Sequence, residues 1–175
     1  MKTIQLLPLG EVSSALLAAV KEGLGRELRV HCEILPPAPE PSYAFNPGRQ
    51  QYCSTEILAA LDARPLPPAT KLLGITSHDL FIPILTFVFG EAQISGPCAV
   101  VSTFRLRQEF YGLPSDLELL HGRTIKESVH ELGHTLGIAH CEDYNCVMAP
   151  SHAVEWIDLK QPGLCDCCRA AVAAH

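Results

Sequence analysis

The stretch HELGHTLGIAH, residues 130–140, contains two histidines one helical turn apart, with a glutamate beside the first. On a helix, His130 and His134 lie on the same face, so both imidazoles can bind one metal ion. Glu131 points beside that ion, where the general base for a zinc-bound water belongs. The spacing therefore predicts a helix that carries half of a catalytic metal site.

The end of the same stretch explains how a third ligand could reach the ion. A helix that continued past Gly137 would carry His140 away, but glycine can adopt the left-handed conformation that ends a helix and turns the chain. Three imidazoles leave a fourth position open for water, as in catalytic zinc sites. Histidine pairs at this spacing also occur on solvated helices, but the full string is specific because ligands, base and turn residue must all fall in register.

A second group of metal-binding residue types follows at once: Cys141, Cys146, Cys165, Cys167 and Cys168. Two residues separate Cys165 from Cys168, a spacing that lets a short turn present two thiolates to one ion. We therefore predict a structural zinc site of Cys141, Cys146, Cys165 and Cys168, in which Cys167 could replace either of the last two. Such a site would fasten the loop-rich C-terminal segment to the metal-binding helix. Free thiols or a disulfide are the alternative.

Composition narrows the class of protein. The chain has 175 residues, of which 47% are apolar and 18% charged, enough to bury the core of one domain. The formal net charge of −6 argues against nucleic acid as a main partner. The most apolar stretch, 80–90, contains proline and is shorter than the about 20 residues of a membrane-spanning helix. Residues 1–12 favour a first strand over a signal peptide, so we expect a cytoplasmic protein that binds no membrane. We also expect a monomer.

The hydrophobic pattern predicts alternating strands and helices. The opening strand–helix–strand favours a parallel pair, and the proline-rich segment 36–47 is predicted as a loop. Gly122 is a possible break in the last helix. We expect strands over 2–9, 27–35, 71–76, 87–89 and 98–103, and helices over 12–24, 49–61 and 113–138.

The string HELGHTLGIAHC, followed by CVM and CDCC, resembles the archaemetzincins, a branch of the metzincin metallopeptidases. The family pattern is HExxHxxGxxHC, four residues, C-x-M, about seventeen residues and C-x-x-C. Sixteen residues separate Met148 from Cys165 here, which leaves the third and fourth thiolates open between the last three cysteines. The segment 79–106 also resembles the family's strand-and-hairpin region, so the resemblance covers at least residues 79–168.

The resemblance implies an α/β fold with a metzincin-like mixed, mainly parallel sheet, a backing helix, an active-site helix and a small C-terminal lobe held by zinc. Residues 1–175 would form one catalytic domain, with an upper subdomain to about 137 and a lower one from about 138. Met148 would lie in a tight turn beneath the histidines, where its flexible thioether forms an apolar floor. Residues 87–103 would supply an edge strand that binds an extended peptide, although ordinary sheet fits the same pattern.

These observations predict a zinc metallopeptidase, either an aminopeptidase or a small-peptide peptidase, with one catalytic and one structural zinc ion. Zinc on His130, His134 and His140 would activate water, and Glu131 would carry the proton from that water to the leaving amine. The alternative is a module that holds zinc and binds peptides or partner segments without turnover. A cleft blocked by the loop 36–47, or a displaced His140, would favour this alternative. The sequence assigns no pocket-forming side chain.

Overall fold

A computed structural model describes residues 3–173 of the chain; Lys2, the predicted start of the first strand, lies outside them. The strands are β1 (Thr3–Leu9), β2 (His31–Ile34), β3 (Phe45–Asn46), β4 (Gln51–Cys53), β5 (Thr70–Thr76), β6 (Leu80–Phe81), β7 (Gly90–Ala92) and β8 (Cys98–Ser102). The helices are α1 (Ser14–Leu28), α2 (Ser54–Asp62), α3 (Leu117–Thr135), α4 (Val154–Leu159) and α5 (Asp166–Ala173). Short 3-10 turns lie at Ser42–Ala44, Phe104–Leu106 and Gln108–Tyr111.

The main sheet has five strands in the order β2-β1-β5-β8-β7. Its first four strands are parallel, and β7 pairs antiparallel to β8 at the edge. A second sheet of three short strands has the order β3-β4-β6. The predicted α/β fold with a mixed, mainly parallel sheet is confirmed.

Helices cover both faces of the main sheet, because its central strands are apolar on both sides. One face packs against α1 and α3, and the other face packs against α2. α1 approaches α3 closely at Gly23, where a Cβ would lie 2.7 Å from Cγ2 of Ile125. This close contact fixes the position of α3 relative to α1 and the sheet. α3 is the helix that carries the HExxH residues.

Several predicted boundaries are wrong because tertiary contacts override local pattern. α1 runs through Gly23 and Gly25 and ends at Leu28, where Arg29 takes a left-handed φ of 55°. The helix predicted from residue 49 begins at Ser54, since the residues before it form β4 and pair with β3 and β6. The hairpin strand is β7, not the predicted 87–89.

α3 is continuous through Gly122, and its N-cap is Asp116, whose Oδ1 accepts the backbone N–H of Leu119 at 2.9 Å. The two short helices α4 and α5, both in the segment after residue 137, were not predicted. The division into upper and lower subdomains near residue 137 stays a prediction. Within residues 3–173, the helices lack the length and hydrophobicity that a bilayer crossing requires.

Candidate active site

The C-terminal end of α3 has the two hydrogen bonds of a Schellman motif. The backbone N–H of Ile138 donates to the carbonyl of Gly133 at 3.0 Å, and the N–H of Gly137 donates to the carbonyl of His134 at 2.9 Å. Gly137 has a φ of +87°, in the left-handed region that favours glycine. The chain thus leaves the helix sharply and brings His140 back toward the helical histidines.

A side chain of β5 and a backbone amide of the turn between β7 and β8 hold this helix end in place. Lys71 Nζ donates to the carbonyl of Thr135 at 2.8 Å, and the N–H of Ser95 donates to the carbonyl of His134 at 2.9 Å. The Lys71 ammonium thus pairs a carbonyl of the last helical turn, and the Ser95 amide adds a second donor to the His134 carbonyl, which also accepts the N–H of Gly137. The helix end is therefore fixed relative to the sheet.

The structure brings His130, His134 and His140 together. Their ring nitrogens lie within 4.8 Å of one another, and the Nε2 atoms of His130 and His134 are 3.2 Å apart. The Nδ1 of His130 lies 2.8 Å from the carbonyl oxygen of Val147, and the Nδ1 of His134 lies 2.8 Å from that of Ile138. Each Nδ1 can bond its carbonyl only as a donor, so each Nε2 carries a lone pair.

Two lone pairs facing each other at 3.2 Å repel unless a cation lies between them. A tetrahedral zinc ion with Zn–N bonds of 2.0–2.1 Å places two ligand nitrogens about 3.3 Å apart, close to this separation. Burial lowers the pKa of His130 to about 3, and burial also lowers the pKa values of His134 and His140. All three imidazoles are therefore neutral near pH 7, as metal binding requires. The donor set fits zinc.

Met148 is fully buried and lies against α3 at Gly133. A Cβ at Gly133 would lie 2.3 Å from Met148 Sδ, so a larger residue there would force the thioether to move. The carbonyl of Met148 accepts the N–H of Cys141 at 3.0 Å, which ties the methionine turn to the segment after His140. The methionine turn and the third histidine are thus held together by backbone contacts.

A buried lysine that sequence reasoning missed also holds this turn. Lys160 Nζ donates to the carbonyl of Ala149, and to that of Val147 at 3.3 Å, the same carbonyl that orients His130. Burial lowers the pKa of Lys160. No local pattern marks this residue, because its role arises only when α4 returns to the turn.

Glu131 is buried beside the histidines and packs against β7. A Cβ at Gly90 would lie 2.8 Å from Glu131 Cγ, so glycine leaves the space that this side chain occupies. Burial raises the pKa of Glu131 well above its usual value, with smaller contributions from Glu127 and Glu91. Such a carboxylate is a better proton acceptor than one in water.

A cleft of about 340 Å³ opens in front of these groups. The cleft is lined by residues 85–90, Glu127, His130, Glu131, His140 and Pro150–His152. Among the described residues, none from the loop 36–47 lines the cleft. The ring centre of His140 lies 5.3 Å from that of His130 and 4.9 Å from that of His134, so His140 is not displaced. Neither feature that would have favoured binding without turnover is present in residues 3–173.

The second cluster joins four thiols whose sulfur atoms lie within 4.8 Å of one another: Cys141, Cys146, Cys165 and Cys168. The Sγ atoms of Cys141 and Cys165 are 3.8 Å apart, and those of Cys146 and Cys168 are 3.9 Å apart. A disulfide needs about 2.05 Å, whereas four thiolates at 2.3 Å from zinc lie about 3.8 Å apart. Cys167 is exposed and outside this group.

Backbone amides also point at these sulfurs. The N–H of Cys168 donates to Cys165 Sγ at 3.5 Å, and the N–H groups of Cys165 and Met148 donate to Cys146 Sγ at 3.4 and 3.5 Å. Hydrogen bonds of this kind stabilise thiolates. The amide of Cys168 lowers the pKa of Cys165, whereas burial raises the pKa of Cys146 despite the two amide bonds that it accepts.

Comparison with known proteins gives consistent matches. The model of peptidase family M54 matches residues 68–173. The archaemetzincin of Methanocaldococcus jannaschii is 43% identical over 162 residues, which span 92% of this chain and 87% of that protein. The crystal structure of the Methanopyrus kandleri archaemetzincin superposes with a TM-score of 0.87 at 33% identity, covering 99% of this chain and 94% of that one. The structure of a zinc-dependent peptidase from Methanocorpusculum labreanum gives 0.88 at 30% identity, covering 97% and 99%.

Proposed function

Since this chain belongs to the archaemetzincins, peptidase family M54, and is therefore a zinc metallopeptidase, we propose that it cleaves short peptides with Glu131 as general base. The observation that carries the proposal is the convergence of two buried Nε2 lone pairs at 3.2 Å, with His140 and Glu131 beside them. His130, His134 and His140 would hold the ion. When bound, zinc would lower the pKa of a coordinated water and polarise the peptide carbonyl.

The protein's own groups would move the proton. The Glu131 carboxylate, raised in pKa by burial, would accept a proton from the attacking water and deliver it to the leaving amine nitrogen. Val147 and Ile138, through their carbonyls, would keep the proton of His130 and His134 on Nδ1. Lys160 would hold the Val147 carbonyl in place as a positioning residue.

The edge of the main sheet would bind the substrate backbone. β7 is the edge strand, and the residues that precede it line the cleft. An extended peptide could add to this edge by main-chain hydrogen bonds, which gives affinity without side-chain selectivity. A cleft of about 340 Å³ suits a short peptide segment or a free N-terminus, in keeping with an aminopeptidase or small-peptide peptidase.

We assign a second, structural zinc ion to Cys141, Cys146, Cys165 and Cys168. Four thiolates around one ion leave no open position, so this site would stabilise the fold and take no part in hydrolysis. The 3.8 and 3.9 Å sulfur separations support the assignment. The proposal therefore gives two zinc ions per chain.

The test uses the zinc-loaded protein, a diverse peptide pool and mass spectrometry of the fragments. Glu131→Gln should abolish cleavage while two zinc ions per chain remain by elemental analysis. Glu118→Gln, an exposed glutamate of the same helix, serves as the matched control and should cleave as wild type. Equal cleavage by wild type and Glu131→Gln would refute the general base, and absence of cleavage at full zinc loading would refute the peptidase proposal.

A further inference from the structure

Glu127 lies one helical turn before Glu131 on α3 and lines the same cleft. The residue is only 3% exposed, and its Oε1 is buried without a hydrogen-bond partner in residues 3–173. The Oγ of Ser151, which lines the same cleft, is also buried without a partner in residues 3–173. Two unsatisfied acceptors thus belong to residues that line one cavity.

The neighbouring cations do not pair with this carboxylate. Both lysines that act on Glu127 electrostatically are engaged elsewhere: Lys160 Nζ donates to the carbonyls of Val147 and Ala149, and Lys126 Nζ donates to that of Ile157 at 2.9 Å. Within residues 3–173, the ion pairs closer than 4.0 Å do not include Glu127.

A buried carboxyl oxygen without a partner, such as Oε1 of Glu127, destabilises a fold. Burial raises the pKa of Glu127 to about 7 despite the opposing effect of both lysines. As a packing element this position would be better filled by an apolar side chain. An unpartnered acceptor at this position suits a hydrogen-bond donor from a bound molecule.

We propose that Glu127 is a specificity-determining residue, whose carboxylate binds a cationic nitrogen of the peptide substrate, with Ser151 Oγ as a further acceptor. The cation is an ammonium or guanidinium, from a lysine or arginine side chain or from the substrate's N-terminus. This inference rests on the proposed peptidase function, because it uses the same cleft. A bound cation would supply several N–H donors to the Glu127 carboxylate and the positive charge that neutralises it.

The test measures binding as well as cleavage. Three short peptides carry a C-terminal fluorophore: an N-acetylated peptide with arginine, the same peptide with citrulline, and the citrulline peptide with a free N-terminus. Citrulline keeps the shape of arginine and removes its charge. Dissociation constants are measured by fluorescence anisotropy in two zinc-loaded variants that should not cleave, Glu131→Gln and Glu131→Gln/Glu127→Gln. The specificity constant kcat/KM is measured in wild type and in Glu127→Gln.

We expect Glu131→Gln to bind one of the two cationic peptides about tenfold or more tightly than the neutral peptide, since hydrogen bonds to charged groups contribute at this level. The arginine and free-amine arms identify the source of the cation. Glu127→Gln should reduce the preference to less than about twofold, and Glu118→Gln should leave it unchanged. Glu127→Met fills the site without a hydrogen-bonding N or O atom and should act like Glu127→Gln. This second variant shows whether the effect comes from loss of the carboxylate or from the new amide group.

A preference that survives in both Glu127 variants, or no preference for either cation in Glu131→Gln, would overturn the inference. Cleavage without charge preference would leave the peptidase proposal standing and remove this inference. A preference in binding that depends on Glu127, without any cleavage, would support this inference and refute the peptidase proposal. Failure of all three peptides to bind at full zinc loading would overturn both.

Discussion

Gly133 lies inside α3, one residue before His134, and has no room for a side chain. A Cβ there would lie 2.3 Å from Met148 Sδ and 2.9 Å from Met148 Cε. Relaxed carbon contacts lie at about 3.5–4.0 Å, so Met148 would have to retreat by more than about 1 Å. The methionine is fully buried and its turn is held by Lys160, which leaves little freedom for that movement.

The same helix provides a matched control. A Cβ at Gly122 meets nothing within 4 Å. Glycine to alanine inside a helix gains about 1 kcal/mol of stability, and this gain is common to both positions. At Gly133 the overpacking opposes it by about 1–3 kcal/mol. Gly133→Ala should therefore be less stable than Gly122→Ala by about 1–3 kcal/mol, or roughly 3–9 °C in Tm for a chain of this size.

Thermal unfolding of the two zinc-loaded variants measures this difference. Gly133→Ala should also bind zinc at the histidines about tenfold or more weakly in competition with a chelator, because the displaced turn carries the carbonyl that orients His130. Equal stabilisation by the two substitutions would show that the methionine turn yields freely. The methionine turn would then not be a rigid support for the histidine helix.

Three further predictions concern other parts of the site. Gly90→Ala would place a Cβ 2.8 Å from Glu131 Cγ and 2.7 Å from the carbonyl oxygen of Val100. Because the Glu131 carboxylate would be displaced, kcat should fall by up to about 100-fold while the zinc content stays unchanged. A wild-type kcat would contradict this. Cys168→Ser should lower the zinc content from two ions per chain to one and reduce Tm, whereas Cys167→Ser should change neither, as elemental analysis and thermal unfolding will show. The pKa of Glu127 rises from 4.5 to about 7 on folding, so its native state binds a proton between these values. The free energy of unfolding should therefore fall as pH rises from about 4.5 through 7, by roughly 3 kcal/mol. Glu127→Gln should remove this component in urea unfolding at pH 5 and 8, and an unchanged slope would contradict it.

The parts of the site that the sequence predicted are those whose geometry is local. A four-residue spacing on a helix places His130 and His134 on one face whatever the rest of the chain does, and Gly137 acts within its own turn. The thiol spacing of Cys165 and Cys168 is local in the same sense. Which of the last three cysteines joins the cluster was open, and the structure brings in Cys165 and Cys168 because Cys167 faces outward from α5.

The missed features depend on contacts between distant segments. β4 was predicted as the first turn of a helix because neither its pairing with β3 nor its pairing with the more distant β6 is visible in the spacing of apolar residues. Lys160 is an ordinary surface residue type, and only the return of α4 buries it against the methionine turn. Glu127 carried one usable signal, its position one turn before Glu131, but its burial without a partner is visible only in three dimensions.

His140 and Cys141 are neighbours in the chain, yet they belong to the two different clusters. Filling the thiol cluster would remove conformational freedom from the residues that follow Gly137 and present His140 already in position. The affinity for zinc at the histidines would rise by some factor, and by reciprocity histidine occupancy would raise the affinity at the thiols by the same factor. Zinc should then bind the histidines more weakly in Cys168→Ser than in wild type, as competition with a chelator would show.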